Sequence, residues 1–263
     1  MRRLIEFVCE GETLVGTLDE ARHDGVGLLI VSGGNEIRCG AHRGMALLAR
    51  RLAAAGVPVF RFDRRGIGDS SGTNGSFDSS GPDLAAATAA FRAEAGIRAV
   101  VAFGNCDAAS ALALFHVQAG IDTIILSNPW PGETIGDMPP PAAIRARYVE
   151  RLRDPRQWLR LMRGQVRIGR LIQGLSTIAT SSARSPLIDR MAVAMHASRV
   201  PSTILIATRD NTAIAFADEW SKCANAPDVP IQRRDTASHS YAAKGDLDWL
   251  YDRLHEVTRY SAA

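Results

Sequence analysis

The sequence predicts an α/β fold whose mostly parallel central sheet carries helices on both faces, and three observations support it. Short apolar runs alternate with amphipathic segments along most of the chain. The connections between them are brief and often close on glycine, as they do where strands and helices alternate. At 263 residues the chain suits one large α/β domain with a substantial core.

In chain order, residues 3–18 read as two strands joined by Glu10-Gly11-Glu12, a hairpin. Residues 25–31 are continuously apolar and end in Ser32-Gly33-Gly34, which suits a strand buried on both faces. Residues 42–55 place Met45, Leu48, Ala49 and Leu52 at helical spacing and stop at Gly56. A strand over 57–62 runs into Asp63-Arg64-Arg65-Gly66-Ile67-Gly68-Asp69-Ser70. Residues 83–95 form the next helix, closed by Gly96. Strand 98–103, the turn Gly104-Asn105-Cys106-Asp107-Ala108, helix 109–118 and strand 123–126 follow. Strand 203–207, helix 213–223, strand 231–234 and helix 246–257 complete the series.

Residues 139–200 break this rhythm. They open on Pro139-Pro140-Pro141, show helical stretches at 148–152, 158–162 and 166–175, and contain no convincing strand. The expected organisation is a core made of 1–138 and 201–263, with 139–200 inserted as a helical cap over the open end of the sheet. Twelve arginines face Glu150, Asp154 and Asp189 in this segment, so it carries +9 and the remainder −6 of a total of +3. Such a charge would steer an anionic substrate. A plainer reading is a solvated helix surface in an arginine-biased chain, since only Lys222 and Lys244 are lysines; a membrane-surface contact is a third.

Composition excludes several classes. A 22% charged fraction with near-zero mean hydropathy fits neither a disordered chain nor a membrane bundle. The apolar run after Gly25 is strand-sized, far short of the roughly 20 residues a membrane helix needs. The first residues meet Glu6 and Glu10 before any leader-like apolar stretch. Cys9, Cys39, Cys106 and Cys223 are too few and scattered for a disulfide framework and form no CxxC pair. Cys39 and His42 have ligand-like spacing without a second pair. Gly66-Ile67-Gly68 lacks the spacing of a dinucleotide loop. The expectation is a cytoplasmic protein without metal, cofactor, nucleic acid or integral membrane segment; oligomeric state is open.

The segment Ala102 to Ser110 carries the strongest chemical signal. An apolar strand enters a tight turn and then a helix of small residues, the context in which a strained turn lifts one side chain off the sheet. Cys106 sits at that turn, where the helix dipole favours its thiolate; a buried structural cysteine is the alternative. Asp210 follows strand 203–207 at the end of the sheet where active sites of open α/β folds gather, as an orienting carboxylate or a helix N-cap. His239 lies in the polar loop Ala237-Ser238-His239-Ser240. His42, His116, His196 and His255 fall within helical patterns and read as surface or packing residues. Ser110, one helical turn beyond Cys106, should face helix packing.

These motifs resemble the α/β-hydrolase superfamily over nearly the full length. Ser32-Gly33-Gly34-Asn35 lies where that superfamily places its oxyanion-hole loop. Asp63 to Ser70 is similar to its D-x-R-G-x-G-x-S turn. Gly104-Asn105-Cys106-Asp107-Ala108 matches its G-x-S-x-G elbow, with cysteine for serine and Ala108 for the second glycine. Asp210 and His239 follow in the superfamily's order of nucleophile, acid and histidine. The rival acid position, after strand 123–126, holds Asn128, which cannot be an anion.

The resemblance implies a Cys106–His239–Asp210 triad acting on a small-molecule ester or thioester. The oxyanion would be held by the backbone N–H of Asp107 with that of Gly34 or Asn35, and Gly33 and Trp130 would contact substrate. Gly33 and Gly34 also read as a plain strand-to-helix turn. Acyl transfer to a saccharide or other hydroxyl, or binding without catalysis, are the other classes. The elbow, Asn128-Pro129-Trp130 and the arginine-rich insertion further resemble the first of two hydrolases associated with bacterial exosortase A systems, encoded near exopolysaccharide genes. Dienelactone hydrolase also has an elbow cysteine, but keeps glycines absent here.

Overall fold

A computed structural model describes residues 1–132 and 185–261. The stretch 139–184 of the expected cap, with most of its arginines, lies outside these residues.

Eight strands form one sheet: β1 (Arg2–Cys9), β2 (Glu12–Asp19), β3 (Val26–Val31), β4 (Val59–Phe62), β5 (Ala99–Asn105), β6 (Thr123–Ser127), β7 (Ser202–Ala207) and β8 (Ile231–Arg234). Their spatial order is β1-β2-β4-β3-β5-β6-β7-β8. β2 runs antiparallel to β1 and β4, and the pairings from β4 through to β8 are all parallel. In the hairpin, Cys9 pairs with Glu12 across Glu10 and Gly11, both at positive φ, the two-residue turn whose twist matches that of its strands.

Six helices cover the sheet among the described residues: α1 (Gly44–Ala54), α2 (Gly81–Ala95), α3 (Asp107–Phe115), α4 (Pro186–Ser198), α5 (Asn211–Trp220) and α6 (Asp246–Tyr260). The central strands alternate between two cores. Leu28, Ile30, Val101, Phe103, Ile125 and Leu205 meet Leu48 and Leu52 of α1 and Leu250 and Leu254 of α6. Leu29, Val31, Ala102, Ile124, Leu126 and Ile204 face the other way, toward α2, α3, α4 and α5. Period-two alternation with both faces buried is why these strands read as unbroken apolar runs.

Three boundaries depart from the sequence reading. The helix expected from residue 42 begins at Gly44, because His42 and Arg43 adopt left-handed backbone (φ 52° and 61°). α3 starts at Asp107 rather than 109, so the turn after β5 is a single residue. The third falls in the expected insertion: α4 lies within 139–200, yet Leu187, Ile188, Met191, Ala192 and Met195 are buried in the α2/α3 core. That stretch belongs to the helical layer. Its Arg190 is paired with Asp78 at 2.6 Å.

Candidate active site

Cys106 is the residue on which β5 turns into α3. Its backbone, φ 61° and ψ −128°, is one that side chains with a Cβ rarely adopt. Its N–H donates to the Ser127 carbonyl at 3.0 Å, and its carbonyl accepts from Trp130 N–H at 3.2 Å. The turn demands small neighbours: a Cβ on Gly104 would lie 2.8 Å from the Ala108 backbone, and Ala108 is fully buried. Alanine therefore suffices where the elbow pattern has its second glycine. Ser110 is buried and donates to the Trp130 carbonyl at 2.8 Å, so its hydroxyl is spent on packing, as expected.

The loop after β3 meets this turn. Gly33 admits no side chain, since a Cβ there would come 2.6 Å from the Asn105 carbonyl and 2.7 Å from an Asp107 carboxylate oxygen. Gly34 N–H donates to Asp107 Oδ1 at 2.5 Å. Arg64, buried, donates to the Gly34 carbonyl at 2.6 Å and to Ser80 Oγ at 3.0 Å, and its guanidinium lies 3.5 Å from Asp107 Oδ2. The turn after β4 thus props the glycine loop, through Arg64. Its own shape is set by buried Asp63, which accepts from Arg38 N–H at 2.6 Å and whose carbonyl accepts from Ser70 Oγ at 2.7 Å. Asn35 is exposed and accepts from Asn74 through its side chain at 2.8 Å.

At the far side, Asp210 makes two contacts. Its Oδ2 caps α5 by accepting from Ala213 N–H at 3.0 Å and accepts from His239 Nδ1 at 2.9 Å. The hydrogen bond to Asp210, then that to Cys106, push His239 up to about 10 against the opposing effect of burial. The imidazole is thus anchored by the carboxylate, and Asn105, the residue before Cys106, holds the His239 carbonyl. Burial holds the Glu36 carboxyl, on the glycine loop, above its ordinary value, with the Ala41 amide opposing.

The histidine loop is tied down at several points. Thr236 donates to Asp246 at the start of α6 (2.6 Å), and Tyr241, buried, accepts from Ser127 Oγ at 3.0 Å. The His239 carbonyl accepts from the side-chain amides of Asn105 (3.1 Å) and Asn128 (3.2 Å).

Cys106, Asp107, Gly33, Gly34, Asp210 and His239 are therefore gathered at the C-terminal ends of the parallel strands. Trp130 lies beside them, half-buried, its ring edge-on to Phe77 at 5.3 Å. His116 is a packing residue: it is buried, with Nδ1 on the Leu112 carbonyl at 3.0 Å and Nε2 on Ser198 Oγ at 2.7 Å. Arg64 and Asn105 were not singled out from sequence, and Asn128 was singled out only as a missing acid. The available signal was a polar residue ending an otherwise apolar strand, in Phe103-Gly104-Asn105 and Leu126-Ser127-Asn128. Among the described residues no cluster of His, Cys, Asp or Glu fits a metal ion, and no helix is long and apolar enough to cross a membrane.

Comparison with known proteins agrees with this fold. An esterase from Pyrococcus furiosus, PF2001, superposes with a TM-score of 0.64 at 15% identity, over 99% of this chain and 91% of its own. The α/β hydrolase GrgF from Penicillium sp. sh18 gives 0.65 at 16% identity, over 99% and 98%. XC6422 from Xanthomonas campestris, described as an α/β serine hydrolase without lid, gives 0.57 at 14%, over 98% and 94%. These likenesses show the α/β-hydrolase fold. No curated protein matches the chain. The hydrolase family described as serine aminopeptidase, S33, matches residues 27–240, from β3 through the histidine loop. With that span covered, the chain belongs to this family of α/β hydrolases.

Proposed function

We propose that the protein hydrolyses an ester or thioester through a Cys106–His239–Asp210 triad and an acyl-enzyme intermediate. One observation carries the reading: an imidazole bonded to a carboxylate at 2.9 Å, whose backbone is tied to the residue before a cysteine on a strained strand-to-helix turn. His239, held by Asp210 and pushed up to about 10, takes the Cys106 thiol proton and is stabilised as the imidazolium.

The thiolate attacks the carbonyl carbon, and the carbonyl π electrons move onto oxygen. Asp107 N–H, in the first turn of α3, and Gly34 N–H stabilise that oxyanion once it displaces the Asp107 carboxylate. Collapse expels the alkoxide or thiolate leaving group, which takes the imidazolium proton. Neutral His239 then removes a proton from water, hydroxide attacks the thioester, and the Cys106 thiolate leaves. A thiolate is itself a good leaving group, so acyl groups on aryl, enol, lactone or thioester leaving groups suit it best. Gly33 and Trp130 flank the acyl position. Ten of the twelve arginines of the expected 139–200 cap lie in 139–184, and their charge would favour an anionic acyl or leaving group. A reducing compartment such as the cytoplasm suits a free thiol nucleophile. The elbow and Asn128-Pro129-Trp130 support kinship with the exosortase-associated hydrolases.

The test is a panel of aryl esters, acyl thioesters and aminoacyl anilides, followed by intact mass and turnover. An acyl adduct should form on the native chain and vanish in Cys106→Ala, with turnover lower by at least about 1000-fold. Undiminished turnover in that variant would overturn the nucleophile. Product release accelerated by a saccharide acceptor would replace hydrolysis with transfer, and anilide cleavage alone would move the substrate to peptides.

A further inference from the structure

Asn128 occupies the position where an acid would sit after β6, and its surroundings are those of a donor. It is fully buried, with backbone in the left-handed region (φ 41°) that asparagine tolerates better than most residues. Its Oδ1 accepts from Ala207 N–H at 2.8 Å, at the end of β7 and three residues before Asp210. Its Nδ2 donates to Asn105 Oδ1 at 3.1 Å and to the His239 carbonyl at 3.2 Å. Asn105, one residue before Cys106, donates to that same carbonyl at 3.1 Å. The neighbouring Ser127 holds Cys106 N–H through its carbonyl and Tyr241 through its hydroxyl.

Two side-chain amides thus join the segments that carry the nucleophile, the acid and the histidine. Asn105 leads directly into Cys106, Ala207 leads into Asp210, and the carbonyl they share belongs to His239 itself. A carboxylate at Asn128 could keep the bond from Ala207 but would turn two donors into acceptors, facing the His239 carbonyl and Asn105 Oδ1 with repulsion. We infer that Asn105 and Asn128 are positioning residues, a neutral amide clamp that fixes the His239 backbone so that its ring spans Cys106 and Asp210. This rests on the triad reading above.

The test uses the full chain with iodoacetamide, reading Cys106 alkylation by peptide mass across the pH range, and p-nitrophenyl acetate for kinetics. Circular dichroism checks that each variant is folded. Asn128→Asp is the near-isosteric change and Asn105→Ala the milder one, which decides the matter if Asn128→Asp does not fold. The ionisable groups around the imidazole, Asp210, Cys106 and Glu36, stay in place in both.

Loss of the clamp should slow alkylation at neutral pH about tenfold and move its half-maximal rate to higher pH. It should lower kcat about 10- to 100-fold with KM nearly unchanged, as misplacement by about 1 Å does. Asn105→Ala and Asn128→Ala together should cost less than the product of the single losses, because both serve one carbonyl. Native alkylation rates and pH profiles in the Asn variants, where wild-type alkylation depends on His239, overturn the clamp alone. Wild-type alkylation no faster than that of His239→Ala overturns the clamp and the triad together.

Discussion

On the elbow side of the site, Asp107 and Arg64 bring full charges to the glycine loop, a carboxylate on the Gly34 N–H and a guanidinium on the Gly34 carbonyl. On the histidine side, the His239 carbonyl is held by the uncharged amides of Asn105 and Asn128, and the charged partner of the ring is Asp210. The two sides face different demands. In the proposed mechanism the substrate oxyanion displaces the Asp107 carboxylate from Gly34 N–H, so that side must exchange one negative group for another during turnover. A general acid–base must keep its geometry while it gains and loses a proton, and amide hydrogen bonds do not titrate. Replacing groups on each side should therefore fail in different ways.

The largest effect is expected at Asp210→Asn. Asparagine can still cap α5 by accepting from Ala213, so the helix survives, but the imidazolium loses its anionic partner. In the serine triad the equivalent change costs about 10,000-fold, and a loss on that order in kcat is expected here. The pH signature has a definite sign. His239 is raised from 6.5 to about 10 in the fold, so the stability it contributes is fully present below about 6.5 and is lost progressively as pH climbs to about 10. The melting-temperature advantage of the native chain over Asp210→Asn should accordingly shrink across that window. A gap independent of pH would show that the pairing adds no proton-linked stability.

Gly33→Ala comes next and probes the charged side. A methyl group there meets the Asn105 carbonyl, which is backbone, and the Asp107 carboxylate. The loop must retreat, taking Gly34 N–H with it. Loss of one oxyanion donor typically costs about 100- to 1000-fold, and kcat should fall by that factor while Cys106 alkylation, which builds no oxyanion, stays near native. Slowed alkylation would place the damage at the elbow instead.

Much of this arrangement was legible in the sequence. The eight strands and the strand–turn–helix at Cys106 follow from apolar runs and glycine stops, whereas the expectation that Asp210 and His239 join them came from the resemblance to α/β hydrolases. α4 was grouped with the segment before it because both read as helical with no strand between them; its buried face, Leu187, Ile188, Met191 and Met195, is plain only once α3 and α5 supply the surface it covers. Asn128 was legible as an absence and not as a role. Its partners lie at 105, 207 and 239, and no local pattern joins residues so far apart in the chain. Asp107 carries the same lesson: its backbone N–H was expected in the oxyanion hole, but the fold of its side chain onto Gly34 depends on a loop more than 70 residues away.

Asp107→Asn should have the smallest effect and is the most direct comparison of the two sides. A hydrogen bond to an ionised acceptor is worth about 1 kcal/mol more than one to a neutral acceptor, so the substituted amide yields the Gly34 N–H more readily. The difference corresponds to about a fivefold faster acylation by an activated ester, visible as a larger single-turnover rate at neutral pH. Arg64 then lacks its carboxylate partner, so an anionic acyl group should gain more than a neutral one of the same size. The corresponding exchange on the histidine side runs the other way: Asn128→Asp adds a charge where none is tolerated and slows the enzyme. If Asp107→Asn slows acylation instead, its carboxylate is part of the working oxyanion site rather than its resting occupant, and the contrast between a charged, exchangeable wall and a neutral, fixed one fails.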